Sequence, residues 1–117
     1  MKHRGRKHKY DLIEPAVLRP EFTPLVREPP THLGEPERVI WKHVFADYQL
    51  STETAIDVLV TALEAHQRAR EAREAVECEG MTVTGRDGQA KVHPLLAVER
   101  DARQAWLAGI KALRLEL

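Results

Sequence analysis

The chain has 117 residues and is 43% hydrophobic but only 5% aromatic, and its 18 Lys and Arg balance 18 Asp and Glu. That length suits one domain, and the apolar runs are only a few residues long, far short of the roughly 20 a membrane-spanning helix needs. The single cysteine, Cys78, excludes an intramolecular disulfide and fits a reducing cytosol.

The neutral total hides a separation of charge. Residues 1–9 carry Lys2, Arg4, Arg6, Lys7 and Lys9 and no acid. The other 108 residues hold 13 basic and 18 acidic side chains, a formal −5. Tyr10, Asp11 and prolines follow the basic run, so it is not the start of a secretory signal. A basic arm on an acidic body fits local contact with nucleic acid, because each neutralised phosphate releases counterions while the body is repelled.

Five of the seven prolines lie before residue 31. Proline fixes φ and removes a donor, so residues 1–33 read as an extended, flexible, basic and Pro-rich arm. Residues 34–117 then form a helical oligomerisation domain. Pro36 near a helix start, with Glu35 and Glu37 at the positive end of the dipole, opens a helix over about 35–48. Val39, Ile40, Val44, Phe45 and Tyr48 give it an apolar stripe with Trp41 beside it. Ser51 or Thr52 caps a second helix over about 51–79, which Gly80 ends. Ile56, Leu59, Val60 and Leu63 give that helix an apolar face. Further on, Arg68, Arg70 and Arg73 alternate with glutamates along a thin alanine seam.

Residues 81–92 alternate about Gly85-Arg86-Asp87-Gly88 and read as a β-hairpin. His93-Pro94 starts a third helix over about 94–115, its apolar face lined by Leu95, Val98, Ala102, Ala105, Trp106 and Leu113, with Gly109 as a weak point. The fold class is thus mainly α: a long antiparallel helical hairpin with a short β-hairpin at its connection, one short preceding helix and the arm. Such a pair buries little surface on its own, so neighbouring copies are expected to complete it as a ring.

Enzyme signatures are missing. The segment "GRDGQAK" lacks the spacing and the Lys-Ser/Thr end of a phosphate loop. The six histidines are scattered, and none pairs with a cysteine at metal-ligand spacing, so neither a catalytic centre, a metal site nor a cofactor is expected. His93 reads as a helix-capping ring and His66 as a packed or partly exposed side chain. The arm is the main candidate DNA-binding element, through Lys2, Arg4, Arg6, Lys7 and Lys9. Arg68, Arg70 and Arg73 form a second basic site whose neighbouring glutamates favour an ion-paired face.

Four stretches resemble the small subunit of phage terminase in order and spacing: "RGRKHK", "PPTHLGEPERVIWKHV", "LSTETAIDVLVTALEAHQRAREA" and "GMTVTGRDGQAKVHPLLAVERDAR". His8 stands where that family usually has Pro, residues 10–28 depart from its wording, and no separate C-terminal domain is expected after the third helix. The resemblance implies a non-enzymatic packaging factor. Such proteins form homo-oligomeric rings, bind the packaging-initiation region of double-stranded phage DNA, and present it to the large terminase subunit, the ATPase and nuclease. It also implies the host cytoplasm as location, with no lasting place in the virion. Val39, Trp41, Phe45, Leu59, Leu63, Leu95, Val98 and Trp106 are then expected to build the core and the subunit seams. Competing readings are a helix-turn-helix transcriptional regulator and a structural head–tail assembly protein. The first is weakened by the acidic start of its recognition helix, Thr52-Glu53-Thr54-Ala55-Ile56-Asp57.

Overall fold

A computed structural model describes residues 16–18 and 27–117. In chain order these form β1 (Val17–Leu18), α1 (Glu35–Asp47), β2 (Tyr48–Gln49), α2 (Glu53–Glu79), β3 (Thr82–Thr84), β4 (Ala90–Val92) and α3 (Leu95–Leu113). Among the described residues the molecule is mainly helical. Its dominant feature is the packing of α2 on α3.

Local chemistry sets each boundary. Gly34, the N-cap of α1, supplies no side-chain cap; its backbone N–H donates to Gln67 Oε1 at 2.9 Å, tying the start of α1 to α2. Thr52 caps α2, its Oγ1 accepting the N–H of Ala55 at 3.0 Å. Gly80 ends α2 at φ 90°, a conformation open to glycine and strained for other residues. The first helical residue of α3 is Leu95 rather than Pro94, and His93 does the capping: its Nδ1 accepts the Leu95 N–H at 3.1 Å. That ring nitrogen is therefore unprotonated, and Nε2–H donates to Glu79 Oε1 at 2.6 Å. His93 thus ties the end of α2 to the start of α3.

Between them β3 and β4 pair antiparallel, with Thr82 opposite Val92 and Thr84 opposite Ala90. The turn is closed by Gly85 N–H to Gln89 C=O and Gly88 N–H to Gly85 C=O, with Gly88 at φ 87°. A second small ladder joins β1 to β2, with Val17 opposite Gln49. Beside it the Ala16 N–H donates to Leu113 C=O at 3.0 Å. Part of the span expected as an arm thus lies against the body. Residues 27–33 do so as well, because Pro-rich backbone still offers carbonyls. Trp41 Nε1–H donates to Arg27 C=O, Arg38 donates to the carbonyls of Thr31 and Leu33, and the Leu33 side chain is buried.

The core gathers where α1 crosses the hairpin, around Trp41, Phe45, Leu59, Leu63 and Leu113. Leu95, Val98 and Trp106 are only partly buried. Val39, expected in the core or a seam, is 43% exposed and stands outside the core. The buried stripe of α1 is instead Glu37, Trp41, Val44 and Phe45, the spacing of one helical face. A carboxylate occupies its first position.

Farther along the hairpin the seam is thin. Ala62, Ala65, Ala72 and Val76 of α2 are buried, whereas α3 contributes Ala102 there. The helices approach closely at Gly109, where an added Cβ would lie 2.6 Å from the Ala62 Cβ. Gly109 is thus a close-packing position, whatever it costs in helix propensity. Gly109→Ala is expected to lower stability by about 1 kcal/mol, since overpacking outweighs the propensity gain of alanine. In an Ala62→Gly background the same substitution should stabilise. Denaturant titration of the four variants checks this, and a stabilising Gly109→Ala in the native background would contradict the close approach.

Candidate nucleic-acid interface

The five arm residues Lys2, Arg4, Arg6, Lys7 and Lys9 lie outside the described residues. The three arginines of α2 are described, and the helix turns them to different surroundings.

Arg70 is committed to structure. Glu37, fully buried, receives Arg70 Nη2 on Oε1 at 2.9 Å and Arg70 Nε on Oε2 at 3.1 Å, a two-pronged pair. His66 Nδ1 reaches the same Oε2 at 2.6 Å. Burial pushes the Glu37 carboxyl up, but the hydrogen bonds from Arg70 and His66 and the Arg70 charge outweigh it, holding the carboxyl below its ordinary value. The hydrogen bond to Glu37 in turn raises Arg70. Glu37 is therefore an acceptor-only carboxylate, and the His66 ring must carry its hydrogen on Nδ1. Gly34 makes room for the pair: a Cβ there would lie 2.7 Å from Arg70 Nη2. This buried cluster clamps α1 and the segment before it onto α2. Arg70 also meets Glu74 at 3.5 Å, in accord with the ion-paired face expected of this stretch.

Arg68 looks the other way. It lines a polar depression with His32, Glu64, Gln67 and Glu71, in which His32 Nε2 bonds to Glu64 Oε2 at 2.8 Å.

Arg73 opens onto a cleft of about 300 Å³ between α2 and α3. Glu99, Arg103, Trp106 and Leu107 of α3 and His66, Ala69 and Arg70 of α2 line it with Arg73. The rings of Trp106 and His66 meet edge to face, centroids 4.9 Å apart. Arg103 pairs with Glu99 one turn earlier. Arg73 has no carboxylate partner among the described residues.

The small residues of the seam leave a second, more apolar groove on the hairpin. It measures about 350 Å³ and is lined by Val58, Thr61, Ala62, Ala105, Ala108 and Gly109, among others. Among the described residues no group of three His, Cys, Asp or Glu is placed to hold a metal ion, and no helix is long and apolar enough to cross a membrane.

The family model described as "Phage terminase, small subunit" matches residues 38–116. The chain belongs to that family. The match covers all of α2, the β-hairpin and α3, and α1 from Arg38 onward. No curated protein and no solved structure matches the chain. Membership ties this small terminase subunit to phage genome packaging, in a family of generally non-catalytic packaging factors.

Sequence reasoning missed two features of the site. The first is Glu37, whose signal was its place four residues before Trp41 on the buried stripe. The second is the pairing of Arg73 with Arg103 across one cleft, which depends on how α2 and α3 are set against each other.

Proposed function

We propose that this small terminase subunit assembles with its own copies into a ring, binds double-stranded phage DNA at the packaging-initiation region, and recruits and regulates the large terminase subunit. It performs no catalysis and needs no cofactor. It works in the host cytoplasm before the virion is complete. The observation that carries this reading is the family match over residues 38–116. Lys2, Arg4, Arg6, Lys7 and Lys9 are the DNA-contacting arm, since they concentrate all the excess positive charge of a chain whose remainder is acidic.

The groove of small residues between α2 and α3 supports a hairpin face that meets a neighbouring copy, and Leu107 and Val39 are further exposed apolar side chains. Multivalence would then add many weak arm contacts into useful affinity. The exposed first turn of α2, with Glu53, Thr54 and Asp57, disfavours a helix-turn-helix regulator, whose recognition helix would meet phosphates there.

The test is DNA retention by the full chain and by a chain lacking residues 1–9. Deletion should weaken binding steeply and flatten its salt dependence by up to about 4.5 in log–log slope per arm. Oligomer size should be unchanged. Unaltered retention would move the DNA contact to the body.

A further inference from the structure

We propose that Leu107 of one copy seats in the apolar α2–α3 groove of the next, with Asp57 on the rim of that groove facing the basic side chains around Leu107. This rests on the assembly reading above and names the two surfaces that mate.

Three observations carry it. First, the chain holds a hole and a knob of matching character. The groove is mostly apolar, measures about 350 Å³, and is left open between Val58 and Thr61 of α2 and Ala105 and Ala108 of α3. Leu107 is 55% exposed at the edge of the other cleft, beside Trp106. Removing such a side chain from water against apolar walls is favourable in proportion to the area covered.

Second, the charges match. Asp57 is the one charged side chain that lines the groove. It is exposed and has no ion-pair partner among the described residues. The surroundings of Leu107 are basic. Arg70 there is held by Glu37, Arg103 by Glu99, and His66 gives its Nδ1 to Glu37. Arg73 has no carboxylate partner among the described residues, and neither has exposed Lys111, one turn beyond Leu107 on α3. A carboxylate brought in by a neighbouring copy meets these two uncompensated cations.

Third, hole and knob lie on opposite sides of α3. Ala105 and Leu107 are two residues apart, about 160° around the helix axis. A contact that leaves one side of the helix and enters the other side of the next copy is head-to-tail. Repeated, it passes from copy to copy and makes a ring where the rotation closes, whereas a two-fold dimer would pair each surface with itself. That both halves of the contact sit on this one chain favours a second copy over an unrelated protein as the occupant of the groove.

The experiment measures mass in solution by light scattering, at micromolar concentration, for the full chain and for three variants at exposed positions. Ala108→Trp fills the groove, Leu107→Asp removes the knob, and Asp57→Arg reverses the charge on the rim. Circular dichroism checks that each keeps its helix content, and Ala105→Phe and Leu107→Ala replace a groove or knob variant that does not. Ala108→Trp and Leu107→Asp should each be monomeric alone. Mixed in equal amounts, each supplies the surface that the other lacks, so they should form a dimer with one copy of each and nothing larger. Asp57→Arg should raise the concentration at which the assembly dissociates by about tenfold or more, because like charges then meet; an unchanged value would contradict the facing of charges. If the unsubstituted chain assembles and the groove and knob variants keep its size, the groove is covered by something other than Leu107 of a neighbour and only this inference fails. A mixture that stays monomeric would likewise overturn it. If the unsubstituted chain is itself a monomer, the assembly reading beneath it fails.

Discussion

Arg70→Ala is expected to destabilise the protein by about 3–5 kcal/mol, the loss typical when one partner of a buried ion pair is removed. The cause is the charge left behind. Glu37 is fully buried, and two of its three side-chain hydrogen bonds come from Arg70. Glu37→Gln should also destabilise, by less, because Arg70 is 21% exposed and can turn to water or to Glu74. Replacing both partners together, as Glu37→Leu with Arg70→Leu, should cost much less than Arg70→Ala, since no charge is left unpaired.

The pH dependence has a definite sign. The folded-state value of Glu37 lies below its ordinary 4.5. Its contribution is therefore complete above about pH 4.5 and is lost as pH falls through the lowered folded value. Arg70→Ala removes the largest opposing influence and leaves burial, which favours the neutral acid, opposed mainly by the His66 hydrogen bond. The acid-labile limb of the stability curve should flatten in that variant. Denaturant titrations between pH 3 and 7 at fixed protein concentration check this, and an unchanged limb would contradict the assignment.

Trp41→Ala should cost a similar amount, about 3–5 kcal/mol. Trp41 is 2% exposed, stacks at a tilt on Phe45 with centroids 4.7 Å apart, and sends its indole N–H to the Arg27 carbonyl at 3.2 Å. The loss thus has two parts: a cavity where α1 meets the hairpin, and release of the segment before α1. Trp41→Phe separates them. It keeps most of the apolar contact, so it should cost far less, yet it removes the donor and should expose the backbone near Arg27 to protease. Protection of that backbone in Trp41→Phe equal to the parent would show that the indole bond does not hold the segment.

These two positions also show what the sequence revealed and what it hid. Helix ends were legible because their signals are local: Thr52 before α2, Gly80 after it, His93-Pro94 before α3. The β-hairpin was legible from alternation around Gly85 and Gly88. The rotation of α1 was not. Stripes through Val39 or through Trp41 share Val44 and Phe45, and only the partners of Glu37, 29 and 33 residues away, decide between them. The order of residues 27–33 was hidden for the same reason. Prolines there argue against helix, but the donors that fix the segment, Trp41 and Arg38, belong to α1. The cleft at Arg73 needed the setting of α2 against α3, which follows from Gly109 on Ala62.

The seam that Gly109 permits is narrow, and the core is gathered at one end of a hairpin whose first helix, α2, runs 27 residues. A closed assembly of copies is the arrangement in which such a hairpin covers its remaining small-residue groove. Light scattering coupled to size exclusion, at micromolar concentration and moderate salt, tests this most directly. The account predicts a discrete homo-oligomer of one size, retained when residues 1–9 are deleted. A stable monomer of 13.3 kDa under those conditions would contradict it.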